Sequence, residues 1–240
     1  MDQQRKKHSA EFKMPMAHFI PNLSMLPPSQ LRLWLELDST PDHFTLYGGT
    51  ALALRLGHRV SVDFDFFSSQ SFDPDRLAET VPYLRGAERV QVDSNTLTCR
   101  IERDGPVLVS FFGGLNLGQV AARELANGRV LHVASLLDIA GTKVAVVQKR
   151  AEMKDYLDID ALLRHGVDIS TMLAAGRVVY GQSFNPIISL KALSYFEDVP
   201  KLPHEVRNRL LAAVAAVDPA SDLPPLIAHS QRVEARKHTP

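Results

Sequence analysis

Cysteine is almost missing from this chain: Cys99 is the only one in 240 residues, so no internal disulfide can close and a reducing compartment is the simplest setting. An excess of either charge is missing too. Lys plus Arg and Asp plus Glu each total 27, and zero net charge sets up no global basic field for a nucleic-acid partner, leaving only local patches. No apolar run approaches the roughly 20 residues of a membrane helix, and the opening MDQQRKKHSAEFK has no apolar stretch of the secretory kind. The expectation is a cytoplasmic protein with no membrane partner. Repeats and low-complexity blocks are absent, and none of the nine histidines stands at a zinc-binding spacing. Hydrophobic residues, by contrast, make up 45% of the chain, enough for a core in one large domain or two small ones.

Residues 1–27 are polar, basic and interrupted by Pro15, Pro21 and Pro27, which predicts an arm with little structure of its own. Ser29 is placed to cap a helix carrying Leu31, Trp34, Leu35 and Leu37. Phe44 to Tyr47 reads as a short strand, Gly48-Gly49-Thr50 as a tight turn, and Ala51 to Leu56 as a short helix stopped at Gly57. From Val60 to Phe67 apolar residues alternate with Ser61, Asp63 and Asp65, the pattern of a strand with an acidic face. Asp73-Pro74 starts a helix. Glu88–Val92, Thr96–Glu102 and Val107–Phe112 read as strands, the last two joined by Asp104-Gly105, and Arg129–Val133 as a shorter one. After Ser135 the spacing turns helical: Leu136 to Arg150, a helix carrying Tyr156, Ile159 and Leu162, then 168–180, 186–196 and 203–217. These readings predict an α+β protein, with an arm (1–27), a mixed-sheet core flanked by helices (28–134), a helical half (135–222) and a tail (223–240).

Two features carry chemistry. Gly48-Gly49-Thr50 stands where a strand hands over to a helix, so main-chain amides and the helix dipole converge on any anion, and the glycines allow a phosphate close approach. Alone, such a run is most often a turn with Thr50 as helix cap. Asp63 and Asp65 leave the same face of one strand a few ångströms apart, and two carboxylates so placed repel unless a cation neutralises them; hard oxygen donors favour Mg²⁺. Alone, that pair is a solvated acidic edge. Together, a phosphate cradle one short helix before a carboxylate pair is the layout that metal-dependent phosphoryl transfer requires.

Here the run YGGTALALRLGHRVSVDFDFF resembles the nucleotidyltransferase AbiEii/AbiGii toxin family, within the polymerase-β-like nucleotidyltransferase fold. KVAVVQKRAEMKDYLDIDALL, residues 143–163, resembles the family's second signature, a lysine helix followed by an aspartate-rich one. The resemblance implies a Mg²⁺-dependent transfer of a nucleotide from an NTP to an acceptor such as tRNA or another RNA, by a toxin-like protein with a cognate antitoxin partner. It implies that Gly48, Gly49 and Thr50 hold the triphosphate, that Asp63 and Asp65 ligate the metal, and that Lys143 contacts phosphates. Asp155 or Asp158 lines the same cleft. Ser61 touches the nucleotide, while His58 and Arg59 either bind phosphate or close the helix. Many enzymes of this fold add a third carboxylate from a neighbouring strand, yet the matching strand offers Ser110; Glu102, on the strand before, is the candidate substitute.

Without the resemblance, Lys143 reads as a solvated lysine, and Arg150 with Asp155 and Lys154 with Asp158 as surface charges. Cys99 reads as a small buried residue. The competing functions are a nucleotide-binding or partner-binding protein that has lost turnover, motivated by Ser110, and a glycosyltransferase using Asp63 and Asp65 for a sugar nucleotide. The candidate RNA contacts are Arg5-Lys6-Lys7 and Arg232 to Lys237.

Overall fold

The alternation around the acidic pair builds the centre of a sheet. In the computed structural model, which describes residues 17–218 and 223–229, eight strands form one mixed sheet: β1 (His18–Phe19), β2 (Thr45–Tyr47), β3 (Asp63–Phe67), β4 (Glu88–Asp93), β5 (Thr96–Glu102), β6 (Pro106–Phe112), β7 (Glu124–Ala126) and β8 (His132–Val133). Their spatial order is β1-β7-β8-β2-β3-β6-β5-β4. The neighbours β1 and β7, β8 and β2, and β3 and β6 run parallel, the others antiparallel. The helices are α1 (Pro28–Trp34), α2 (Gly48–Leu56), α3 (Pro74–Thr80), α4 (Leu136–Val146), α5 (Met153–Arg164), α6 (Ile169–Tyr180), α7 (Pro186–Ala192) and α8 (His204–Ala215). The α+β class expected from the sequence is the one observed.

Residues paired across a sheet share a face, so register decides what meets what. Asp65 pairs with both Tyr47 and Ser110, and Ser110 with Thr98. One face is therefore polar, and the opposite face carries Phe64, Phe66, Val109, Phe111, Leu97 and Cys99, all fully buried. The Phe66 and Phe111 rings stack at 5.2 Å, and Trp34 of α1 lies over Phe64 at 6.5 Å. Burial of this aromatic layer is worth roughly 1.5–3 kcal/mol per large side chain. The same core continues without a break into the helical half through Val144, Ile159, Leu173 and Leu210. The change at residue 135 is thus one of secondary structure inside a common core. α4 packs on α2 and α6, and α5 on α2 and α4, which brings the helical half over the acidic end of the sheet.

Several local expectations need correction. Part of the arm is ordered: β1 pairs with β7, Leu23–Met25 forms a 3-10 turn, and the Asn22 amide donates to the Leu54 carbonyl at 2.7 Å. β7, with three residues, is too short for its alternation to be legible in the sequence. α1 starts one residue before Ser29, with Pro28 in its first turn and no side-chain cap. β3 begins at Asp63, because Val60 and Val62 remain more than half exposed. No turn separates Gly48 from the helix, which begins at that residue. The caps at Asp73, Ser135 and Asp168 each accept main-chain amide hydrogens as such residues should. The runs Arg5-Lys6-Lys7 and Arg232 to Lys237 lie outside the described residues.

Candidate active site

The strand β2 delivers the chain directly into the first turn of α2, and the two glycines there are fitted to their surroundings. Gly48 has φ of +75°, and a Cβ on it would lie 2.6 Å from an Asp65 carboxylate oxygen. A Cβ on Gly49 would lie 2.7 Å from the Arg59 guanidinium and 2.8 Å from the Ser61 hydroxyl. Only hydrogen at the two glycines leaves room for these three groups to converge. They open onto a cleft of about 550 Å³, lined on one side by Gly48, Gly49, Arg59, Ser61, Asp63 and Asp65 and on the other by Lys143, Lys149, Arg150 and Lys154. Tyr180, Phe184, Val60 and Val62 add an apolar margin.

Thr50 departs from expectation. It is 1% exposed, and its hydroxyl donates to the Asp63 carbonyl, pinning the first turn of α2 to the start of β3. Its side chain does not line the cleft, and it is not the helix cap, a position held by Tyr47.

Asp155 and Asp158 also depart from expectation. Both are fully buried and neither lines the cleft. The Arg59 guanidinium donates to both oxygens of Asp158, at 2.6 and 2.9 Å. Lys143 reaches Asp158 at 2.6 Å and Asp155 at 3.1 Å. Arg150 donates to Asp155 at 2.9 Å, and His58 Nε2 to Asp158 at 2.7 Å. The two aspartates form the floor that holds Arg59, Lys143 and Arg150 against the cleft. Burial by itself would raise the Asp158 carboxyl, but hydrogen bonds from His58 and Arg59 and the charge of Lys143 outweigh it and hold the group well below the usual range. His58 consequently faces this floor, with its Nδ1 buried and unpartnered, while Arg59 spans floor and cleft.

The reading of Lys143 as a solvated lysine fails, since its side chain is 7% exposed. Lys154 pairs with Glu152 at 2.8 Å in place of Asp158, and Arg150 with Asp155 is part of the floor and no mere surface contact. Lys149, Arg150 and Lys154 as cleft residues escaped sequence reasoning. Their signal was the density of cations between residues 143 and 154, which include four.

Electrostatics on the sheet side are the reverse. Burial, then the neighbouring Asp63, push the Asp65 carboxyl up to about 6 despite Lys143, Lys154 and Arg150 nearby. Among the described residues no cluster of three or more His, Cys, Asp or Glu side chains is arranged for a metal. The third-acid position on β6 is Ser110, whose hydroxyl accepts from Thr98 at 3.1 Å. Glu102 does not replace it: it is exposed, pairs with Pro106 at the far end of β5, and stands four residues, roughly 13 Å, along the strand from Thr98. Two undercompensated carboxylates still suit Mg²⁺, which takes one or two of them and completes its shell with water and substrate phosphates.

Comparison with known proteins identifies the family and the fold. The family described as nucleotidyl transferase AbiEii toxin, of type IV toxin–antitoxin systems, matches residues 31–228. An uncharacterised protein of Aquifex aeolicus (strain VF5) is 32% identical over 165 residues, 68% of this chain and 78% of that one. Among solved structures, the nucleotidyltransferase toxin MenT4 from Mycobacterium tuberculosis H37Rv shares the fold with a TM-score of 0.54, at 18% identity, over 80% of this chain and 85% of its own.

Proposed function

The chain belongs to the AbiEii family of nucleotidyltransferase toxins, and from that footing we propose that it uses Mg²⁺ to transfer a nucleotide from an NTP to an RNA acceptor in the cytoplasm. An antitoxin counterpart goes with membership of the family. The observation that carries the reading is the convergence of Asp63 and Asp65 with Arg59, Lys143, Lys149, Arg150 and Lys154 on one cleft. A triphosphate needs cations along its β- and γ-phosphates and a metal at the α-phosphate, and positioning with charge neutralisation supplies most of the catalysis in such chemistry.

Asp63 and Asp65 would hold the metal, which supplies charge neutralisation at the reacting phosphorus. Arg59 and Lys143, fixed from below by Asp158, present their charges to the phosphates without reorganising when these enter. The Gly48 and Gly49 stretch lets the polyphosphate approach the main chain. An acceptor hydroxyl oxygen forms a bond to the α-phosphorus, the bond from that phosphorus to the bridging β-oxygen breaks, and pyrophosphate leaves with the electron pair. The acceptor's proton passes to water in the cleft.

The test incubates the protein with each α-labelled NTP, Mg²⁺ and total bacterial RNA, beside an Asp63→Asn/Asp65→Asn variant. Label is expected in RNA with the wild type alone. Nucleotide binding with no release of pyrophosphate would overturn the reading in favour of a binding protein.

A further inference from the structure

The polar face of the sheet carries a second chamber next to the cleft. Its volume is about 460 Å³, and its lining includes Thr45, Phe67, Ser69, Gln70, Arg123 and His229. No Asp or Glu side chain lines it among the described residues, while Arg123 brings a guanidinium and His43 and His229 bring imidazoles. Arg123 also donates to the Asp42 carbonyl at 2.6 Å, with the exposed Asp42 carboxylate at 3.7 Å.

The chamber's position relative to the reaction follows from strand register. Phe67 lines both cavities. Along one strip of chain stand Arg59 and Ser61, then the carboxylates Asp63 and Asp65, then Phe67, then the chamber. Thr45 pairs with Phe67 and Tyr47 with Asp65, so the chamber floor is the strand next to the reacting end. Asp65 and Phe67 are about 7 Å apart along the strand. The Tyr47 and Phe67 rings stack at 4.9 Å, fixing the partition. The outer wall is tied down as well: the Leu115 amide donates to the Ser68 carbonyl at 3.0 Å, Gly118 to Val179 at 2.9 Å, and His229 to Gln119 at 2.6 Å. This is a built cavity with hydrogen-bond donors, opposite the polyphosphate-binding residues across the carboxylates.

Displacement at phosphorus needs the attacking group on the side away from the leaving pyrophosphate. We propose that this chamber seats the acceptor, as the 3′-terminal nucleotide of an RNA strand, with a phosphate on Arg123 and the terminal hydroxyl directed past Phe67 toward Asp65. The inference rests on the nucleotidyl-transfer reading above. The donor-rich lining without carboxylates favours a polyanion over a protein side chain as occupant.

The experiment uses the full chain with a bacterial small-RNA fraction and labelled NTP, comparing wild type with Ser69→Trp, which fills the chamber from an exposed position, and Arg123→Gln. Each is expected to raise the RNA concentration for half-saturation about tenfold while NTP affinity stays within about twofold. In parallel, an RNA oligonucleotide ending in 4-thiouridine is expected to photocrosslink to residues 67–70 or 115–123. Unchanged half-saturation in both variants, or crosslinks confined to other segments, overturns the chamber while leaving transfer to RNA intact. Equal losses of NTP and RNA affinity would make the chamber part of the nucleotide site and also overturn it. If the wild type binds NTP but labels protein, or labels nothing, the RNA-acceptor reading fails and this inference with it.

Discussion

Two pairs of aspartates have Lys143 as a common neighbour, yet the rest of their surroundings differ. Among the described residues no ion pair is formed by Asp63 or Asp65 on β3, and burial, then the charge of Asp63, push Asp65 up to about 6. Asp155 and Asp158 on α5 are more deeply buried, yet Arg59, Lys143, Arg150 and His58 surround them and Asp158 is held well below the usual range. In the proposed function the first pair takes its cation from outside. The other already has its cations inside the protein and uses them to aim positive charge at the cleft. Burial alone therefore does not tell a ligand from a foundation; the number of compensating charges does.

The strongest way to break this contrast is to remove one member of each pair. Asp158→Ala leaves Arg59, Lys143 and His58 without their shared anchor, and urea unfolding is expected to show a loss of about 3–5 kcal/mol, the usual scale for orphaning buried charge. Asp63→Asn/Asp65→Asn should leave the unfolding midpoint no lower while transfer falls on the order of 10³-fold, read by pyrophosphate release. If both changes cost stability alike, the division of labour is wrong.

A smaller effect is expected in the pH dependence of the metal-free protein. Below about pH 4 Asp65 is protonated in both folded and unfolded chains and contributes nothing. From there to about pH 6 the unfolded chain ionises first, so stability falls as pH rises, and above pH 6 the loss is complete. Asp158 has the opposite sign: its contribution is whole above the ordinary carboxylate value of 3.8 and is lost only as pH falls through its lowered folded value. Asp65→Asn should thus become more stable than wild type by about 2 kcal/mol between pH 4 and 6, with a plateau above, in unfolding series at matched pH. Mg²⁺ should flatten the wild-type slope.

The finest test concerns Lys154, whose exposed pair with Glu152 contributes little to folding. Lys154→Ala is expected to change stability by less than about 0.5 kcal/mol while weakening NTP binding severalfold by isothermal titration. A stability loss without an effect on NTP would return Lys154 to the class of ordinary surface charges.

Much of this molecule could be read in advance where the signal is local. The hairpin at Asp104-Gly105, the caps at Asp73 and Ser135, and the acidic face of β3 follow from turn chemistry, capping and alternation within a few residues. The aspartates of α5 were visible as an i, i+3 pair, but spacing on a helix gives the face they share and says nothing of what lies against it. The place of Thr50 is illegible for a related reason: its partner, the Asp63 carbonyl, belongs to a separate element, β3.

The sequence by itself determined the α+β class, the glycines at the head of α2 and the carboxylate pair, because each is written in contiguous residues whose backbone geometry is short-range. Only the tertiary structure decided that Asp155 and Asp158 are an ionic floor, that Glu102 stands far from Asp65, and that a second chamber opens beyond Phe67. Arg59 and Asp158 are separated by 99 positions. Contacts at that distance depend on how helices dock on the sheet, which is set by the packing of the whole core and by the requirement that every buried charge find a partner.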